Sequence, residues 1–399
     1  MKHVLFLAMP YEGGESGISR YIQATLKAMA AQYRLTVYAL AGDIPALQAL
    51  IPQAPWVEFC AVSDRFSGAL ASIFWFQTVL PMMAKRLHQK SPLRAIFFPA
   101  GNRRLCPGLD RVLPEVARWI TIHDLAPLRL KKYDAGRQWY TTRYLPACYR
   151  QEKHLFAISQ QTADDLVELA GVSPSAITVN FNGYEPLMDV TADHDLTADD
   201  GRSEEAVMDR PFVLFTGRLE YPAKNHLGLI EAWSQLPAAT QRQYRLVFVG
   251  KDWSGSEHIH GAIADYHRDF PEGNMMTLGF VSDKTLASLY ARATVYVQPS
   301  LYEGFGLPLL EAMAAETPVL SSNRGALPEV GGDTVTYTEP DASSIRVALQ
   351  DLLYRCEMGD IALQQQVTRA KARVARFSWA QHVASFADSP VAQHHTESA

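Results

Sequence analysis

The chain lacks most of the features that would place it in a specialised class. Only four of its 399 residues are cysteine (Cys60, Cys106, Cys148, Cys356), widely spaced, with no CxxC pair and no Cys/His metal pattern. That excludes a disulfide-built scaffold and makes a reducing cytoplasm the expected location. No apolar run reaches the roughly 20 residues needed to span a bilayer. The nearest approach, Phe66 to Lys85, is interrupted by Gln77 and Pro81 and reads as a buried or interfacial helix. The start, Met1-Lys2-His3, runs directly into the strand-like Val4 to Met9, too short for a secretory signal and followed at once by a polar glycine loop. No Asp-x-Asp segment is positioned as a metal clamp, so no metal is expected. With 37 Lys/Arg against 42 Asp/Glu the net charge is −5, and no nucleic-acid partner is indicated.

What is present is ordinary globular material, 48% hydrophobic and long enough to favour two domains over one. Apolar strand patterns recur at 3–9, 34–40, 56–62, 94–99, 118–122, 154–159 and 177–182, separated by helical patterns. The acidic stretch 186–211 shows no sustained periodicity and reads as a linker or mobile loop. The pattern then restarts with strands at 212–216, 244–249, 275–280, 295–299, 318–322 and 334–338, and helices such as 226–236, 283–292 and 308–316. This predicts an α/β chain of two doubly wound, Rossmann-like domains facing across a cleft, with ligands at the carboxyl ends of the strands. Residues 1–185 form the first domain and 212–375 the second; 389–399 form a flexible tail. Charge is unevenly shared: residues 1–185 carry 20 Lys/Arg against 14 Asp/Glu, and 186–399 carry 17 against 28. Much of the basic excess lies in 101–150, including Arg103, Arg104, Lys131, Lys132 and Arg143. An anionic partner or membrane surface beside the first half, or a scattered solvated face, would each account for it.

Chemistry concentrates in Glu303-Gly304-Phe305-Gly306-Leu307-Pro308-Leu309-Leu310-Glu311, which follows a strand and opens a helix. Gly304 and Gly306 allow close backbone approach, and the helix start favours a phosphate. Ionised Glu303 and Glu311 accept hydrogen bonds, so vicinal hydroxyls of a ribose or hexose suit them. The plainer reading is a solvated Glu303 and a Glu311 that complements the helix dipole. Just beyond the strand 212–216, Arg218 and Lys224 could neutralise a diphosphate. His123-Asp124 ends another strand; an isolated histidine is more often structural than catalytic, and this position raises the weight of a sugar-contacting or proton-relaying role above the usual. Ser159 reads as the cap of a helix beginning at Gln160. The loop holding Gly13, Gly14 and Gly17 does not fit GxGxxG; with Asp43 after the second strand, a dinucleotide site survives only as a weak imitation. A plain strand-to-helix turn suits that loop as well as a phosphate contact does.

In order along the chain these segments resemble family 4 of the retaining glycosyltransferases, whose architecture is GT-B. The resemblance rests on the glycine loop before Ile18, Ile122-His123-Asp124, Ala157-Ile158-Ser159, Gly217-Arg218 with Lys224-Asn225, and Glu303-Gly304-Phe305-Gly306 through Glu311. It implies that Arg218 and Lys224 contact the donor diphosphate, Glu303 the transferred sugar and Glu311 the ribose. His123 would lie near the donor sugar, with Gly13, Gly14 and Gly17 beside donor and acceptor. Gly250, Phe280, Val281, Gly304, Phe305, Gly306 and Leu307 complete the implied donor site, Phe280 and Val281 bordering the base. A helix over 376–388 would cross back to the first domain. The chain departs from many relatives where Lys251-Asp252-Trp253 follows Gly250 in place of a second glycine.

The motif versions Gly17-Ile18-Ser19-Arg20-Tyr21 and Lys224-Asn225-His226 look most like bacterial mannosyltransferases of surface-polysaccharide assembly. The resemblance therefore implies transfer of a hexose, with mannose from GDP-mannose favoured over UDP-sugars, to a saccharide or lipid-linked acceptor. No cofactor beyond the nucleotide-sugar is expected, and a peripheral contact with the inner membrane face is. A sugar-nucleotide epimerase or hydrolase of the same fold, or a non-catalytic nucleotide-sugar-binding partner in an assembly complex, remain the alternatives. An NAD-dependent dehydrogenase ranks below both.

Overall fold

The computed structural model describes residues 1–14, 16–130, 138–187 and 209–387. The expectations for Lys131, Lys132, nearly all of 186–211 and the 389–399 tail lie outside the described residues. The chain divides into two compact units, Met1–Glu185 with Phe377–Ala399, and Pro186–Arg376.

The first unit is built on seven parallel strands: β1 (His3–Leu7), β2 (Arg34–Leu40), β3 (Val57–Val62), β4 (Ala95–Phe98), β5 (Ala117–Ile122), β6 (Leu155–Ala157) and β7 (Ile177–Val179), in the order β3-β2-β1-β4-β5-β6-β7. Its central strands are apolar at nearly every position because helices cover both faces. Leu5, Leu7, Ile96, Phe98 and Ile120 face one core with Trp75 and Phe76. Their neighbours Val4, Phe6, Phe97 and Trp119 face the other, with Tyr21 and Ile22 of the helix Gly17–Ala30. The helix Trp379–Ala387 adds Trp379, Val383 and Phe386 to this second core, and the Phe386 ring stacks on Trp119 at 5.5 Å. The chain from 377 onward therefore completes the first unit.

The second unit holds six parallel strands: β8 (Phe212–Thr216), β9 (Arg245–Val249), β10 (Met275–Thr277), β11 (Val295–Gln298), β12 (Val319–Ser322) and β13 (Thr336–Thr338), in the order β10-β9-β8-β11-β12-β13. All thirteen strands coincide with the apolar patterns of the sequence. In both sheets the order reverses between two adjacent strands, β1 and β4 in the first, β8 and β11 in the second. Such a switch point opens the space beyond the strand ends because the flanking connections leave in opposite directions.

The Phe66 to Lys85 region forms helices Ala69–Phe74 and Leu80–Lys90 joined through a π-turn, Trp75–Val79. Among the described residues no helix is long and apolar enough to cross a membrane.

Candidate active site

At the β8/β11 switch point the two strands deliver Gly217-Arg218 from one side and Pro299 to Gly306 from the other. Glu303 sits deep between them. Its Oε1 accepts from Lys224 Nζ at 2.5 Å, Ser300 Oγ at 2.9 Å and Gln298 Nε2 at 3.0 Å. All three donors fall on one oxygen, and among the described residues Oε2 has no hydrogen-bond donor from a side chain. Burial alone would raise the Glu303 pKa; the Lys224 charge, its hydrogen bond and those from Ser300 and Gln298 hold it below the usual carboxylate value. Glu303 is thus an ionised acceptor with one oxygen fixed and its side chain 11% exposed.

Lys224 and Glu303 carried separate duties in the sequence reading; the structure makes them an ion pair. An ammonium has three protons, and the Glu303 bond uses one. Asn225 holds this arrangement in place. Its backbone is left-handed (φ 59°), and its side-chain amide donates to the Pro299 carbonyl at 3.0 Å and the Pro340 carbonyl at 2.7 Å. That ties the Lys224 loop to the loops beyond β11 and β13. The next residue, His226, is buried between Phe215 and Phe248, and desolvation pushes its pKa down to about 3.

Glu311 lies in the helix Leu307–Ala314, buried, and accepts from the Tyr290 hydroxyl at 2.8 Å. The helix starts at Gly306, whose φ of 103° is open to glycine and whose missing Cβ leaves room for Leu327. Pro308 stands in the first turn, and no side chain caps the helix start. Arg218 stacks its guanidinium over the Trp253 ring at 4.6 Å. Trp253 belongs to the departing Lys251-Asp252-Trp253 segment, which sequence reasoning treated as a weakness; an aromatic near a candidate phosphate-binding Arg was the available signal. Gly250 is packed against the Gly217 carbonyl, which a Cβ would strike, and its amide donates to the Gly279 carbonyl at 2.8 Å. The glycine at 250 is thus required by backbone against backbone, not by room for a ligand. The same bond fixes the turn before Phe280, which is 47% exposed, and Val281.

In the first unit, Gly13 and Gly14 end a 3-10 turn, Met9–Gly14, and Ser16 and Ser19 form a reciprocal cap on the helix from Gly17. Asp43 lies just beyond β2, and burial raises its pKa, with Asp64 assisting and the Gly13 amide opposing. His123, at the end of β5, is buried with Nε2 at 2.7 Å from the Pro99 carbonyl beyond β4. A carbonyl only accepts, so Nε2 carries the proton. Desolvation takes the His123 pKa to about 4, with the Pro99 bond opposing and Arg103 assisting. A neutral ring with its one proton committed does not suit proton relay near pH 7; Nδ1 remains as an acceptor. Ser159 caps its helix, accepting from the Thr162 amide at 3.0 Å. Among the described residues no group of three or more His, Cys, Asp or Glu side chains is placed to hold a metal ion.

Two family models match this chain: Glycosyltransferase Family 4 over residues 16–186 and Glycosyl transferases group 1 over 198–356. The chain thus carries, one after the other, segments that match these two glycosyltransferase domain models. It is similar to O-antigen chain mannosyltransferase B of Escherichia coli, 38% identical over 174 residues that cover 42% of each chain. It is also similar to the serotype-specific mannosyltransferase WbdA of Escherichia coli, 32% identical over 279 residues, 66% of this chain and 32% of that one. The chain thus spans less than half the length of these curated relatives. Among solved structures, sucrose-phosphate synthase from Thermosynechococcus elongatus matches with a TM-score of 0.72 over 100% of both chains at 19% identity. The Anabaena protein HepE, solved with UDP and glucose, gives 0.70 over 97% of this chain and 99% of that chain at 18% identity. At such identities the likeness is one of fold, and the chain has the two-domain GT-B fold.

Proposed function

We propose that this glycosyltransferase moves a hexose from a nucleoside diphosphate donor to an acceptor hydroxyl with retention at the anomeric carbon, and that the donor is GDP-mannose. The observation that carries the reading is Glu303: an ionised carboxylate with three donors on Oε1 and Oε2 left to accept from sugar hydroxyls. Lys224 and Arg218 stand where negative charge would develop on the departing diphosphate, and fixed positive groups stabilise that state more than the ground state. At the uncapped start of the helix Leu307–Ala314, where Pro308 has no N–H and the Leu309 and Leu310 amides donate to the Gly306 carbonyl, the Leu307 amide is left for a phosphate oxygen, and Glu311 accepts from the ribose. The bond from C1 to the diphosphate oxygen breaks, the acceptor oxygen bonds C1 on the same face, and its proton passes to that departing oxygen. The mannosyl assignment is supported by the two Escherichia coli mannosyltransferases that the chain resembles.

A thermal-shift panel of GDP- and UDP-sugars tests the donor, since the ligand that binds the folded state raises its melting temperature by mass action. GDP-mannose should give the largest shift. Product analysis with that donor should yield an α-linked mannoside. Free mannose or an epimer without acceptor would select the hydrolase or epimerase alternative, and binding without turnover over a broad acceptor panel the non-catalytic one.

The first unit supports a membrane-facing acceptor, a saccharide carried on a lipid at the inner membrane face. Leu70, Phe74 and Met82 are 84%, 58% and 49% exposed along the helical stretch whose opposite side buries Trp75, Phe76 and Leu80. Residues 65–109 contain seven Lys/Arg and no Asp or Glu, with Lys85, Arg86 and Lys90 exposed. An apolar stripe beside the exposed Lys85, Arg86 and Lys90 suits an anionic lipid surface. The protein should float with phosphatidylglycerol vesicles at low salt and release at high salt; absence of low-salt binding refutes the contact.

A further inference from the structure

Each glutamate is held from beneath by a tyrosine. Tyr290, in the helix Asp283–Arg292, donates its hydroxyl proton to Glu311 Oε2 at 2.8 Å and lies 2.6 Å from Thr216 Oγ1, the last side chain of β8. On β11, Tyr296 donates to Gln298 Oε1 at 3.2 Å, and Gln298 Nε2 donates to Glu303 Oε1 at 3.0 Å. The Thr216 and Tyr296 hydroxyls lie 3.4 Å apart. Thr216, Tyr290, Tyr296 and Gln298 are all buried, and the two tyrosine rings pack at 5.4 Å.

Each hydroxyl has one proton. Tyr290 spends its own on Glu311, so Thr216 must donate to Tyr290. Tyr296 spends its own on Gln298, whose carbonyl oxygen is then satisfied and whose amide turns to Glu303. The long Thr216–Tyr296 contact is then left without a proton, so the two arms are separate, and each ends with its carboxylate as the acceptor. Burial raises both tyrosine pKa values well above 10, so both remain donors.

We propose that Tyr290 and Tyr296 are positioning residues, Tyr290 aiming Glu311 at the ribose and Tyr296, through Gln298, aiming Glu303 at the transferred sugar. The assignment rests on the ribose and sugar duties given to Glu311 and Glu303 above. It divides the two tyrosines by what they control: Tyr290 acts on nucleotide affinity, and Tyr296 on turnover. Neither touches substrate.

The test compares binding of GDP and UDP with that of their 2′,3′-dideoxy forms by the full chain, together with kcat and KM for the donor. Glu311→Ala should abolish the preference for the ribo form. Tyr290→Phe should reduce that preference by about 5-fold, raise donor KM by a similar factor and leave kcat within about 2-fold. Tyr296→Phe should keep the preference and lower kcat by about 10-fold. Thr216→Val, which removes the donor to Tyr290 without changing side-chain shape, should shift the preference in the same direction by a smaller factor and serves if Tyr290→Phe folds poorly. A structural role alone would lower the melting temperature without moving the ribo preference. If Glu311→Ala loses the preference while Tyr290→Phe and Thr216→Val keep it, the positioning inference falls and the ribose duty of Glu311 stands. A preference that survives Glu311→Ala overturns both.

Discussion

The switch points of the two sheets are topologically alike and chemically opposite. At β8/β11 the strand ends hold charge: an ion pair between Lys224 and Glu303, and Arg218 on Trp253. At β1/β4 the buried rings are neutral, with the Arg103 charge acting on His123 from beside them. His123 is held by Pro99, Tyr21 lies edge-on to it at 4.6 Å, and the Tyr21 hydroxyl meets Thr121 at 2.8 Å and His382 at 2.7 Å. Parallel strands and their connections fix where a ligand pocket can open, but not its charge. Charge persists under burial only where donors are fixed on it in advance, as Gln298 and Ser300 are on Glu303. Where the neighbours are rings and a carbonyl, burial favours the neutral imidazole.

The sharpest way to break this contrast is to remove the charge from one side of the second site. Lys224→Ala leaves Glu303 desolvated with no counter-ion, which should destabilise the second unit by about 3 kcal/mol and reduce kcat by about 1000-fold. Lys224→Ala with Glu303→Gln removes the orphaned charge, so the double variant should recover most of the melting temperature and none of the activity. Differential scanning fluorimetry alongside donor turnover separates the two. Recovery of activity in the double variant would contradict the duties given to both residues.

Acid should act on the two units differently. Desolvation lowers both His123 and His382 from 6.5 to about 4, so their neutral forms stabilise the first unit fully above 6.5 and less as pH falls toward 4. Each is lost at up to ~1.4 kcal/mol per pH unit. Glu152 works the other way. Burial beside Arg118 raises it from 4.5 to about 7, so protonation favours the folded state as pH falls from 7 to 4.5. In the second unit His226 loses stability over the histidine range, whereas the Glu303 contribution is present above 4.5 and lost only as pH falls below that through its depressed value. Burial lowers His3 and His154 of the first unit as well, so with Glu152 offsetting only one of four histidines the first unit should weaken faster than the second between pH 6.5 and 4.5. Glu152→Gln should widen that gap. Hydrogen exchange at pH 7 and pH 5 reports each unit separately, and an unchanged balance in Glu152→Gln would contradict the assignment.

The contrast also shows what a sequence discloses. All thirteen strands were visible, because a sheet covered on both faces must be apolar at consecutive positions, as His3–Leu7 and Ala95–Phe98 are apart from His3. The Glu303 to Glu311 segment was visible because glycine and carboxylate after a buried strand have few structural uses. Pairing was not visible. Lys224 and Glu303 stand 79 positions apart, and only the adjacency of β8 and β11 brings them together. Tyr290 and Thr216, 74 positions apart, looked like core residues of a helix and a strand, since a buried hydroxyl carries no sign of its partner.

Asn225 offers a smaller disturbance of the charged side. Asn225→Ala removes two hydrogen bonds to carbonyls and leaves a non-glycine residue at φ 59°, so it should cost about 2–3 kcal/mol and loosen Lys224. Asn225→Gly restores the backbone freedom without the clamp, and should recover about 1 kcal/mol while activity stays depressed. Equal activity in Asn225→Gly and the wild type would show that the side-chain clamp does not hold Lys224.

The smallest expected effect tests the neutral side. Ser159 ends the strand region of β6 close in sequence to the motif Ala157-Ile158-Ser159, where a serine might be credited with chemistry. Its Oγ accepts from the Thr162 amide at 3.0 Å and donates to Thr162 Oγ1 at 2.9 Å, which together occupy it as a helix cap. Ser159→Ala should lower stability by about 1 kcal/mol with donor KM and kcat unchanged, and Ser159→Asp, another good cap, should restore most of the loss. Because Ser159 is fully buried, the added charge of Asp tests whether the Thr162 amide and hydroxyl are enough to hold a carboxylate there. A fall in kcat at Ser159→Ala with an unchanged melting temperature would move this serine from the scaffold to the site, and would make the first unit less passive than its buried, neutral histidines imply.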